Sequence, residues 1–256
     1  MIRLTGTLVC LLIAGLAAGQ DLEQSRIEVT ATVWPLTASG RLQSGDTPLD
    51  LETDLGVAGV KTHFLGKLIA KPSRRHRILV DGIAYRLSAD TVLDRQIEYA
   101  GQTYNIRQPI RSKADVTSLF GGYQFDFLSR ELGHAGVQAG VAYFDATGTI
   151  TATGGLVGGN LTATESVTYP LPLIGGEFRG WINRWVNING EVRGIALGDY
   201  GRYLQTTVQA GVRLGNHVIL QAGYALLDAD LHREDRTVRV QPRFHGPIIS
   251  VQIRDR

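Results

Sequence analysis

Near the C-terminal end, Asp228, Asp230 and His232 stand at alternate positions. Alternate residues of a strand project to one side. A carboxylate beside an imidazole is the pairing that activates water for general-base chemistry. No second cluster in the sequence can be matched to this one, and the set reads as the polar entrance to a loop. Asp46, Asp50, Glu52 and Asp54 crowd another segment. Hard cations want oxygen ligands, but the D-x-D-x-D-G spacing of a calcium loop is missing, which leaves a solvated acidic loop. His63, His76, His134, His217, His232 and His245 show no metal-ligand spacing. Gly154-Gly155 and Gly158-Gly159 lack the strand–helix context of a phosphate cradle. The sequence therefore assigns no catalytic residue, no metal and no cofactor.

Charges of a different kind alternate with apolar residues. Between Asn183 and Asn216, Val186, Ile188, Gly190, Val192, Gly194 and Ala196 share one parity, and Asn187, Asn189, Glu191 and Arg193 share the other. Leu204, Thr206, Val208, Ala210, Val212 and Leu214 then alternate with Gln205, Thr207, Gln209 and Arg213. A period of two means β-strand. The Val, Ala and Gly face is too thin to interlock with a second sheet, and lipid demands no such interlocking. The polar face carries both signs. Lys67, Arg77, Asp81, Glu177, Arg179, Glu191, Arg193, Arg213 and Arg243 are expected to form a network inside a closed barrel, where a desolvated charge needs a partner. Lys61, His63, Asp115, Gln209 and Gln221 are expected on the same inner face. Bases outnumber acids in the set, so a conducting lumen would favour anions.

The elements that must position these residues follow from the punctuation. The first 19 residues, with Arg3, an apolar run from Leu8 to Leu16 and then Ala17-Ala18-Gly19, read as a secretory signal peptide. Residues 20–256 read as one domain. The only cysteine, Cys10, lies inside the leader, so the exported domain has no disulfide. A net charge of +2 gives no bulk signal for nucleic acid. Short turns at 72–75, 129–132, 183–184 and 215–216 take turns with longer connections at 44–59, 90–111, 154–160, 197–202 and 229–236. Two strands flank each short turn. Adding Arg26–Gln43 at the start and Thr237–Arg254 at the end makes ten, with eight as the alternative if 90–111 is misread. That connection should carry its own hairpin, turning near Gly101. Phe125, Phe127, Trp181 and Trp185 are expected in an aromatic girdle near the periplasmic turns, and Tyr200 and Tyr203 in an outer one. Pro35 and Pro247 fall at similar heights on the first and last strands, which are neighbours in a closed barrel. Neither can donate a backbone hydrogen bond, so the seam is expected to be weak there.

The signal peptide, the alternating strands, the stretch LQTTVQAGVRLGNHVILQAGYAL and the final RFHGPIISVQI resemble the small outer-membrane β-barrel proteins of diderm bacteria. The resemblance covers nearly the whole exported chain. It implies an all-β, antiparallel up-and-down transmembrane barrel in the outer membrane, meeting lipid, lipopolysaccharide and the barrel-insertion machinery, as a monomer. The activity it implies is open. A polar, filled lumen points to a structural or interaction role that presents extracellular loops. A narrow anion-leaning pore and a lipid-handling barrel enzyme are the alternatives.

Overall fold

A computed structural model describes residues 22–44, 47–56, 59–152, 161–196, 201–232 and 238–255. The expected signal peptide, Tyr200, Asp46 and the paired glycines of 154–159 lie outside them. The described strands are β1 (Ile27–Ser44), β2 (Thr47–Asp50), β3 (Val60–Ser73), β4 (His76–Val92), β5 (Ile97–Tyr99), β6 (Gln102–Tyr104), β7 (Pro109–Arg130), β8 (Gly133–Ala152), β9 (Leu161–Trp181), β10 (Val186–Ala196), β11 (Gly201–Leu214), β12 (Val218–His232) and β13 (Val238–Arg254). The strands pair antiparallel in the order β1-β3-β4-β7-β8-β9-β10-β11-β12-β13, and β13 returns to pair with β1. Ten of these strands close the barrel; β2 adds to the upper end of β1, and β5–β6 is a separate hairpin. The barrel has no free edge through the membrane, where every backbone group must be satisfied within the protein.

The four short turns fall where the sequence puts them, at 74–75, 131–132, 182–185 and 215–217. The 90–111 connection is shortened by the length of β4 and β7 and carries the expected hairpin. Its turn residues Ala100 and Gly101 have φ of 50° and 71°, the two positive values a tight type I′ turn requires. Tyr99 and Tyr104 donate through their hydroxyls to the carbonyls of Gly148 and Ile150, which ties the hairpin to β8. Arg95 donates to Asp54 and to the Pro48 carbonyl. Its guanidinium holds the Asp54 carboxyl below the usual carboxylate range. These contacts fold the two longest described connections over the outer end of the barrel.

The faces exchange character part-way along each strand. On β4, Ile78 and Val80 point outward and are exposed, whereas Arg86, Ser88 and Asp90 take the same outward parity higher up. Inward, Arg77 and Asp81 give way to Tyr85 and Leu87. On β8, outward Val137, Val141 and Tyr143 give way to Asp145, Thr147, Thr149 and Thr151. On β13, outward Ile253, Val251 and Ile249 give way to His245, Arg243, Gln241 and Arg239. The half nearer the short turns is thus apolar outside and polar inside, as in lipid. The other half is polar outside and apolar inside, as in water.

The structure corrects four expectations. Arg243 faces outward, and so does Asp115, which pairs with Arg86 on the outer surface at 3.3 Å. A charge signals the inner face only at lipid depth, and both residues stand above it. Tyr203 is buried inside, its hydroxyl donating to Gln205, and does not join a girdle. Trp181 is also buried inside, while Phe125, Phe127 and Trp185 are exposed at the end with the short turns.

If the short turns are periplasmic, a membrane-impermeant maleimide added to intact cells should label Gln102→Cys and spare Arg74→Cys. Labelling of the second alone would invert the topology.

Candidate functional site: the barrel interior and its closing seam

Polar side chains from all ten barrel strands converge in the lower lumen, Gln209 of β11 and Gln221 of β12 among them. On β9 and β10, Glu177 and Glu191 stand directly opposite one another, a pairing that like charges disfavour. Lys67 reaches across from β3 and lies 3.4 Å from Glu177 and 3.0 Å from Glu191. Arg193 bridges Glu191 at 2.5 Å and Asp81 of β4 at 2.6 Å, and its guanidinium lies over the Phe120 ring. Gln138 donates to Glu191 as well.

A second cluster lies closer to the short turns. Glu28 is fully buried and is paired with Lys71 and with Arg179, the latter at 3.2 Å; Gln252 also donates to it. Arg77 pairs with Asp126 at 2.6 Å, and Gln124 donates to the other Asp126 oxygen. Glu23 joins both groups from outside the barrel strands. Its carboxylate accepts from the Trp181 indole at 2.9 Å and faces His134 at 3.2 Å, Lys71 at 3.5 Å, Arg77 at 3.6 Å and Arg179 at 3.8 Å. The segment that carries it is held in the mouth: the Leu22 amide donates to the Glu131 carbonyl, Arg254 donates to the Leu22 carbonyl, and the Leu22 side chain packs on Trp181 and Ile219.

Of the nine expected network residues, seven meet in this lumen: Lys67, Arg77, Asp81, Glu177, Arg179, Glu191 and Arg193. Arg213 faces the same mouth but donates to its own turn, at the Gly215 carbonyl and Asn216. Arg243 lies outside. Glu23, Glu28, Lys71, Asp126 and His134 join the network without having been expected there. Glu28, Lys71 and Asp126 share the inward parity of their strands, which could have revealed them. Glu23 precedes the first strand, and no periodicity marks it.

The other candidates scatter. Asp228 and Asp230 are directed away from the lumen, and Asp230 is held by Arg239 at 2.7 Å. Among the described residues, no group of three or more His, Cys, Asp or Glu is placed to hold a metal ion.

Pro35 and Pro247 are opposite one another in the seam register. Pairing runs from Glu28↔Arg254 to Val33↔Ile249, resumes at Thr37↔His245 in the same register, and omits the three rungs between. The Asp255 amide donates to the Ile27 carbonyl. Counting by twos from that bonded pair puts Pro35 and Pro247 at a position where both residues donate. Two prolines there delete both bonds, and with them the bridges on either side. The strands still touch: a Cβ on Gly246 would collide with the Pro35 carbonyl and the Leu36 Cα. The seam is therefore unbonded for three rungs, yet closed by contact.

No family model matches the sequence, and no curated protein matches it. Solved structures do. The outer membrane protease OmpT from Escherichia coli aligns with a TM-score of 0.60 at 10% identity, over 91% of this chain and 97% of its own. The chain has the fold of bacterial outer-membrane β-barrels. The translocator domain of the autotransporter NalP from Neisseria meningitidis aligns at 0.51 with 10% identity, over 97% of this chain and 92% of its own. At such identities the likeness extends to the barrel and not to its chemistry.

Proposed function

We propose that the protein is a non-conducting barrel of a diderm outer membrane, exported by a cleaved signal peptide, whose extracellular half and loops are its working surface. The observation that carries this reading is the plug: Glu23 and its neighbours close the lower mouth, above which the ion-paired side chains cross the lumen. A lumen so filled leaves a structural or interaction role as the reading the geometry supports best. Its partners would be outer-leaflet lipid, lipopolysaccharide and the insertion machinery, and it would act as a monomer. A narrow pore is the second reading. The acids Glu23, Glu28, Asp81, Asp126, Glu177 and Glu191 face the bases Lys67, Lys71, Arg77, Arg179 and Arg193, so the paired set has no surplus of bases to favour anions.

Reconstitution into planar bilayers tests this. The folded protein should insert without conductance steps. Steady ion flux through the unmodified barrel would overturn the reading and restore the pore.

A further inference from the structure

The upper lumen holds an apolar cavity of about 130 Å³. Leu42, Leu87, Phe144, Leu231, Pro242 and Phe244 line it, from five of the barrel strands. Leu51, Leu55 and Tyr99, from the folded connections, line it as well. Such a space serves no purpose in holding the lower network together, and a barrel of this diameter can fill its interior with side chains. An apolar cavity of roughly 150 Å³ stays dry and accepts a benzene-sized guest, so this one takes about six carbon atoms.

A second observation points to the guest's chemistry. Ser112 lines the cavity, is 4% exposed, and its hydroxyl has no hydrogen-bond partner among the described residues. Buried hydroxyls are almost always paired in native proteins. Ser112 stands three positions into β7 from the outer end. Tyr85 pairs with Val116, four positions further down, and stacks on Phe244 at 4.9 Å. Trp34 meets Tyr85 edge-on at 6.2 Å. The cavity thus runs from the Ser112 hydroxyl near the outer end to a floor of Val116, Phe144 and Phe244, with the Tyr85 ring stacked behind Phe244.

We propose that this chamber binds a single-chain amphiphile, its hydrocarbon end on the Phe144–Phe244 floor and its oxygen head group on Ser112. The shared chemistry is an aliphatic chain with an oxygen at one end. Its source is either a free medium-chain acid or a chain of an outer-leaflet lipid. The proposal goes beyond the plugged-barrel reading, since the chamber lies above the plug and would bind whether or not the lower lumen conducts.

Bromine on the tail tip would rest at Phe244, from which only the Tyr85 ring separates Trp34, and bromine quenches nearby indole fluorescence. The folded Trp185→Phe protein, which lacks the lipid-facing tryptophan, is titrated with 6-bromohexanoic acid. Saturable quenching is expected. Ala146→Phe and Val116→Phe each fill the chamber and should abolish the saturable part while keeping the heat-modifiable mobility of a folded barrel. Ser112→Ala should retain saturation at severalfold weaker affinity. In a parallel arm the same proteins are placed in bilayers of phospholipid brominated in its chains. A chamber-dependent component there assigns the lipid as the source, and its restriction to the added acid assigns the free amphiphile. Linear quenching, or equal quenching in both filled variants and their parent, would overturn the proposal.

Discussion

Replacing Arg179 with alanine should lower the unfolding temperature by on the order of 10 °C, from a loss of about 3–5 kcal/mol when one partner of a buried ion pair is removed. Arg179 is 4% exposed and its partner Glu28 is fully buried. Lys71 and Gln252 would remain beside Glu28, but Glu23 would lose a neighbouring cation as well. The control is Arg86→Ala. That residue also has a carboxylate partner, but its side chain is 92% exposed on the outer surface. Exposed pairs contribute little because water screens them, so no shift is expected. The two barrels are compared by their heat-modifiable transitions on gels, or by circular dichroism in one detergent. Equal transitions would show that the lumen contacts are not stabilising as a network.

The second large effect has the opposite sign. Combining Pro35→Val with Pro247→Val should restore two backbone donors at one bonded rung. Each intramolecular hydrogen bond contributes about 0.5–1.5 kcal/mol net, so the pair should stabilise by roughly 1–3 kcal/mol. Neither side chain packs in the lumen, since both take the outward parity, and β-branched residues suit a strand. Either single change should recover less, because the facing proline still withholds its donor. Amide hydrogen exchange gives the local readout: the two backbone amides gained at positions 35 and 247 should be protected in the double variant. Fast exchange at both would mean that the local strand geometry, rather than the missing donors, leaves the rungs unbonded.

The architecture was legible in the sequence because lipid imposes a simple rule. Strand parity, four short turns and the evenness of the closing count led to ten strands, and even the hairpin at Ala100-Gly101 announced itself through its glycine and its flanking β-formers. Arg243 and Asp115 were misplaced because the rule that charge marks the inside was applied beyond the lipid, where Asp145 and Arg239 also face out. Glu23 escaped because a plug is a matter of where a non-periodic segment comes to rest. The pairing of Arg179 with Glu28 escaped for a related reason: the partners are 151 residues apart, and spacing does not say which strands will face each other across a lumen.

The exchange of faces along each strand also fixes how deep the barrel sits. Sinking it by two residues would draw Arg86, Asp115 and Arg243 into hydrocarbon, and a lipid-facing Arg or Lys costs about 2–4 kcal/mol at mid-bilayer and little at the interface. Raising it would lift Phe64 and Tyr143, exposed by 71% and 52%, into water. The two borders together act as a waterline. A membrane thinner or thicker than the apolar band must therefore adapt to the protein, so the barrel carries its own preference for bilayer thickness and will gather lipids of matching chain length around itself.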